Sequence, residues 1–217
     1  MSLTLYFHPL SSFCQKALIA FYENDTPFTP HLVDLGNETS RADFLAVWPI
    51  GKFPVLRDAA RDVIVPEATV IIEYLDRFYP GRTRLVPDAA DSIWDLHVRD
   101  RFFDLYINTV VGKIVTDRLR PDGECDTFGV AQAKAQLQTA LDRVERDMAS
   151  RVWAMGDTFT MADCAAAPAL FYADLIMPFG GALKNTAAYL DRLKARPSYA
   201  RALKEAEPFL KFVPQES

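Results

Sequence analysis

Cysteine is scarce in this chain: Cys14, Cys125 and Cys164 are the only three in 217 residues. An odd number at wide spacing argues against a disulfide framework and suits reduced thiols in a cytoplasm. None of them sits at zinc spacing, and the three histidines, His8, His31 and His97, are equally dispersed, so no metal site is expected. Positive charge is also in short supply. Lys and Arg number 24 against 29 Asp and Glu, a formal net charge of −5. With no run of five or six basic residues, nucleic acid is not an expected partner, because phosphate binding needs a basic face. No apolar stretch approaches the ~18 residues needed to span a bilayer. Nor does a basic start followed by a long apolar run mark a signal peptide, so no membrane partner and a cytoplasmic location are expected.

What the chain does have is apolar mass: half its residues are hydrophobic, enough for one large or two small domains. Residues 3–7 alternate as a strand. Residues 14–24 place Ala17, Leu18, Phe21 and Tyr22 on one helical face. A second strand over 28–32 and a short helix over 39–47, capped by Thr39 or Ser40, follow. A hairpin pairs 54–56 with 63–65, and a helix runs over 67–79. The order β-α-β-α-β-β-α predicts an α/β sandwich for residues 1–80. Pro80-Gly81 stops the last helix, and residues 81–91 read as a linker. Residues 92–217 predict an all-helical domain with helices over 92–119, 130–148, 160–179, 186–196 and 198–206; Arg120-Pro121-Asp122-Gly123 closes the first. Thr160 with Asp163 three residues on predicts a capping box, a folding element without a catalytic role.

One segment points to chemistry. Leu10-Ser11-Ser12-Phe13-Cys14-Gln15-Lys16 puts two hydroxyls and a thiol where a strand turns into a helix. Helix N-terminal amides and the helix dipole stabilise an anion there and lower the pKa of a thiol held over them. Serine is also an ordinary helix cap, so this segment alone does not decide. Two further segments line up with it: Pro49-Ile50-Gly51-Lys52-Phe53-Pro54-Val55-Leu56 before the hairpin, and Pro66-Glu67-Ala68-Thr69 opening the next helix.

In that order and spacing, with a helical second half and its capping box, the chain resembles the cytosolic glutathione transferases over essentially its whole length. The active-site segment resembles the serine-type, theta- or zeta-like active sites of bacterial-type members. The resemblance implies a thioredoxin-like first domain, an all-helical second domain, a homodimer, and glutathione as co-substrate for attack on a small hydrophobic electrophile, a detoxifying chemistry. It implies that Phe53, before a cis Pro54, clamps the cysteinyl part of glutathione with its backbone. Glu67 and the amides at Ala68 hold the γ-glutamyl end, and Lys52 faces the glycyl carboxylate. Ser11 corresponds to the serine that donates to the glutathione sulfur; Ser12 aligns with the catalytic cysteine of the beta class, and Cys14 is a third candidate. Ser11-x-x-Cys14 lacks the first cysteine of a redox pair, so dithiol exchange is not expected. Tyr6 reads as structural.

Two positions depart from the family pattern. Ala68 replaces the usual Ser or Thr, removing a hydroxyl that Thr69 could supply in part, and Trp48 replaces Asn before proline. Phe102, Phe103, Tyr106, Ile107 and Phe212 are candidate walls for the electrophile, and Asp104 a candidate to reach across a dimer. Two alternatives stay open. One is a glutathione-dependent isomerase of the maleylacetoacetate type, though Leu10 and Phe13 depart from its motif. The other is a non-catalytic glutathione- or partner-binding module.

Overall fold

The computed structural model describes residues 2–121 and 123–214, so Asp122 of the expected closing turn and residues 215–217 of the expected second domain lie outside it. The chain divides into two compact units, residues 1–86 with 197–207, and residues 87–196 with 208–217.

The first unit is a four-stranded sheet with helices. Strand β1 (Leu3–Phe7) pairs in parallel with β2 (Thr29–Leu32) and antiparallel with β3 (Val55–Asp58), which pairs antiparallel with β4 (Val63–Pro66), giving the order β2-β1-β3-β4. Helices α1 (Ser12–Glu23), α2 (Glu38–Val47) and α3 (Ala68–Phe78) complete the thioredoxin-like pattern. Tyr6 and Val55 pack with Val33 and with Phe44 of α2. Successive strand residues point to opposite faces, so Leu5 and Leu56, paired and fully buried, serve the other face, where α3 packs on β3 and against α1. Asn37 caps α2 by accepting from Ser40 N–H at 3.0 Å, so the helix begins one residue before the expected Thr39. An Asn carbonyl serves this role as well as a hydroxyl does.

Helix α9 (Pro197–Ala206), predicted as part of the helical half, belongs to the first unit and packs on α1. Polar contacts fix it there. Ser198 donates to Glu23 at 2.5 Å, the Tyr22 hydroxyl to Glu205 at 2.5 Å, and Arg201 lies 3.9 Å over the Tyr22 ring.

The second unit is helical among the described residues, apart from a single bridge between Trp153 and Gly156. The predicted helix over 92–119 is three consecutive segments: α4 (Ala90–Phe102), a π-helical turn (Phe103–Asn108) and α5 (Thr109–Asp117). Hydrophobic spacing does not reveal a π turn, which widens the helix by one residue. The Thr109 N–H and hydroxyl both donate to the Asp104 carbonyl, the hydroxyl at 2.8 Å. Helices α6 (Thr127–Met148), α7 (Met161–Ile176) and α8 (Lys184–Ala195) follow. Most of α7 is buried on every side, as a central helix must be. The predicted capping box is present: Asp163 accepts from Thr160 N–H at 2.8 Å, and it also takes Ala154 N–H at 2.8 Å and the Tyr189 hydroxyl at 2.6 Å.

Candidate active site

Sheet register brings the three candidate segments to one place. Tyr6 pairs with Val55, and Val55 with Pro66. The chain leaving β1 (residues 8–11), the chain entering β3 (residues 52–54) and the chain leaving β4 (residues 67–68) therefore share one end of the sheet. At that end α1 and α3 begin, so two helix N-termini and their positive potential accompany them.

Ser11 is the N-cap of α1, half-buried, in extended conformation (φ −73°, ψ 120°). Its oxygen accepts from Cys14 N–H at 3.3 Å. A hydroxyl still carries a proton that rotation about Cβ–Oγ can direct elsewhere. Ser12 is the first helical residue, also half-buried. Cys14 is fully buried; burial pushes its thiol up to about 12 although the Ser11 hydroxyl and the His8 backbone favour ionisation. A thiol held neutral in this way is neither nucleophile nor thiolate. Tyr6 lies in the core, its ring 4.6 Å from His31 and 6.1 Å from Phe44, as a structural residue does.

The Phe53–Pro54 bond is cis, Pro54 is buried, and Lys52 is exposed beside them. Glu67 is exposed and occupies the N-cap of α3 at φ +70°, ψ 123°, a left-handed-side conformation strained for a residue with a Cβ. Its side chain does not cap the helix, so it satisfies none of the first amides of α3. Ala68 is buried. The Thr69 hydroxyl accepts from the buried Lys16 ammonium at 2.8 Å, so this hydroxyl is engaged with α1. Trp48 packs against the Tyr6–Val33–Phe44–Val55 cluster, which makes it a core contact.

The second unit carries the residues expected to face an electrophile. Phe102 is half-buried and Tyr106 exposed, with ring centroids 5.7 Å apart. Both line a groove of about 630 Å³ with Leu105, Val110, Arg143 and Arg146, and Phe102 also borders a smaller cavity of about 180 Å³. Phe103 is buried but also borders the smaller cavity, whereas Ile107 is buried in the helical core. Phe212 is exposed. Asp104 is buried and paired with Arg101, so it is not poised to reach across an interface.

Sequence spacing did not single out three features of this site. They are the imidazole of His8, the buried Lys16 behind α3, and the strained backbone of Glu67. A histidine two residues before Leu10 and a lysine inside an apolar helix face are the only marks they leave in the sequence.

Residues 5–83 match the family model described as glutathione S-transferase, N-terminal domain, and residues 127–208 the one described as glutathione S-transferase, C-terminal domain. The curated protein glutathione S-transferase hmp2 of Hypomyces subiculosus is 26% identical over 88% of this chain and 93% of its own length. Glutathione S-transferase 3 of Zea mays is 29% identical over 93% of each. Among solved structures, a glutathione S-transferase from Methylobacillus flagellatus with GSH bound superposes with a TM-score of 0.84 at 23% identity, covering 93% of this chain and 98% of that one, a likeness of fold.

Proposed function

This chain belongs to the glutathione S-transferase family, and we propose that it binds glutathione at the shared end of its sheet and activates the thiol for attack on small hydrophobic electrophiles. The observation that carries this reading is the convergence of Ser11, Phe53-Pro54 and Glu67-Ala68 on that one end, with two helix N-termini beside them.

In this reading the γ-glutamyl carboxylate takes the first amides of α3 and its ammonium pairs with Glu67. The cysteinyl part hydrogen-bonds to the Phe53 backbone as an added strand does, and Lys52 meets the glycyl carboxylate. The active site is then of the serine type. The Ser11 hydroxyl, its oxygen already engaged by Cys14 N–H, turns its proton to the glutathione sulfur. A free thiol has a pKa near 8.5 and is mostly protonated at pH 7. Hydrogen bonding to the charged form, with the α1 N-terminus, favours the thiolate, which displaces a leaving group from, or adds to, an electrophilic carbon. The burial of Cys14 supports Ser11 over the protein's own thiol. Phe102 and Tyr106 offer aromatic surface for a hydrophobic substrate.

The same reading includes a cytoplasmic homodimer. The exposed Trp94 and Val98, one turn apart on α4, form an apolar face suited to a second copy. Light scattering should give twice the chain mass, and Trp94→Glu should shift it to monomer.

Titration calorimetry with reduced glutathione, combined with ultraviolet absorbance at the thiolate band, tests the main proposal. Binding with a thiolate signal at neutral pH is the expected result. No binding at millimolar glutathione refutes it. Binding without thiolate, or turnover that consumes no glutathione, replaces transfer with the ligand or isomerase role.

A further inference from the structure

We propose that His8 is a positioning residue for thiol activation, its imidazole holding the turn that presents Ser11 on one side and the Phe53 clamp on the other. The inference rests on the glutathione reading above and deepens it: one side chain sets both protein groups that address the glutathione cysteine.

His8 contributes two ties to the turn from β1 into α1. Ser11 N–H donates to the His8 carbonyl at 3.0 Å, closing a four-residue turn. Leu10 N–H donates to His8 Nδ1 at 3.2 Å. Pro9, between them, has no N–H, and its carbonyl accepts from the buried Gln15 side chain of α1 at 2.9 Å. The turn is thus held from His8 at one end and from α1 at the other, with the Ser11 cap as its last residue. An Nδ1 that accepts a hydrogen bond places the ring proton on Nε2. Burial lowers the pKa of His8 more than the Asp34 carboxylate, in the loop after β2, raises it, so the accepting lone pair is present at neutral pH. On its other side the ring faces Phe53, with centroids 6.3 Å apart and planes 26° apart. Phe53 is braced in turn by Phe44 at 6.2 Å.

Two substitutions separate the two contacts. His8→Phe keeps an aromatic face for Phe53 and removes the acceptor. His8→Asn keeps an acceptor where Nδ1 stood and removes the ring. With 1-chloro-2,4-dinitrobenzene as the electrophile, His8→Phe should lower kcat about tenfold, the effect of one lost hydrogen bond at the sulfur. Its KM for glutathione should stay within about threefold of the parent, and the thiolate band at pH 7 should weaken with kcat. His8→Asn should recover most of kcat and of the band. A His8→Phe protein with parental kcat and thiolate overturns the inference, as does an equal loss in both variants with KM rising in step. A parent that binds no glutathione overturns the family-site reading and this inference together, whereas parental binding with an indifferent His8→Phe sinks this one alone. Should His8→Phe not fold, nitrogen NMR of the parent decides. An unprotonated Nδ1 at pH 7 supports the inference, and a protonated Nδ1 overturns it.

Discussion

Replacing Ser11 by alanine removes two interactions of very different worth, and their separation is the sharpest prediction the structure offers. The first is the cap: Ser11 Oγ accepts from Cys14 N–H, but at 3.3 Å this is a long bond. Loss of a serine cap destabilises by about 1 kcal/mol, which in a chain of this size lowers Tm by about 2–4 °C. The second is donation to the glutathione sulfur. A hydrogen bond to a charged group contributes about 1.5–3 kcal/mol, and one pKa unit corresponds to about 1.4 kcal/mol, so the bound thiol should rise by one to two units. Near pH 6.5 turnover follows the thiolate fraction, and kcat should fall about ten- to hundredfold, with glutathione affinity nearly unchanged because the α3 amides, Glu67 and Phe53 are untouched. The assay is the pH titration of the thiolate band in the binary complex, run beside kcat and thermal melts of the same samples. Ser11→Thr, which keeps both a cap and a proton, should restore most of the activity. The reasoning fails if Ser11→Ala leaves the thiolate pKa in place, or if Ser12→Ala produces the loss instead.

Other substitutions and conditions follow from the same geometry. Ala68→Ser restores the hydroxyl the family usually carries at the start of α3, and should tighten glutathione binding about fivefold, a gain of about 1 kcal/mol; calorimetry showing no gain would mean the N-terminal amides of α3 already satisfy the carboxylate. Iodoacetamide on the folded protein should label Cys125 alone, since Cys14 and Cys164 are buried and burial holds the Cys14 thiol near pKa 12; mass spectrometry finding modified Cys14 without unfolding would contradict its placement. Acid should destabilise the fold. Burial opposes charge at Asp58, but donation from Tyr79, Tyr74 and Ala60 N–H, with Arg61, holds its carboxyl below the usual range. At Glu145 burial is likewise outweighed, by the Asn185 and Thr186 donors. Carboxyls depressed in the folded state add stability that is fully present above their unfolded pKa of about 4 and is lost as pH falls through the lower folded values. Urea unfolding should therefore give a stability that declines below about pH 4, and a flat profile from there to pH 2 would refute the assignment.

The sequence disclosed the parts of this molecule that repeat a local rule. Alternation marked β1, helical spacing marked α1 and α3, and Thr160 with Asp163 marked the start of α7, all present in the structure. Boundaries moved where a rule had an equal competitor, as when Asn37 capped α2 ahead of Thr39. What local pattern could not carry was anything set by a distant residue. Nothing near 198–206 announces that α9 joins the first unit. That follows from Glu23 and Tyr22, more than 170 positions earlier, meeting Ser198 and Glu205. Nor does the mostly apolar run over 102–107 by itself show that Phe103 and Ile107 are buried while Tyr106 is exposed.

The candidate site follows the same division, with a consequence for how its chemistry is read. Ser11, Phe53-Pro54 and Glu67-Ala68 were legible as three separate signals, each with an ordinary structural explanation: a cap, a turn, an acidic first turn. Their meaning lies in the pairing of Tyr6 with Val55 and Val55 with Pro66, which is tertiary information and puts all three at one sheet end. The same geometry separates two groups that the sequence places three residues apart. Ser11 stands at the helix entrance with a proton to give. Cys14, one turn deeper, is enclosed on all sides and held neutral, although it is the more reactive residue type. Burial outweighs intrinsic nucleophilicity here, because a thiolate there would lose its hydration and gain no full counter-charge. The Cys14 thiol is thereby silenced near the entrance of α1.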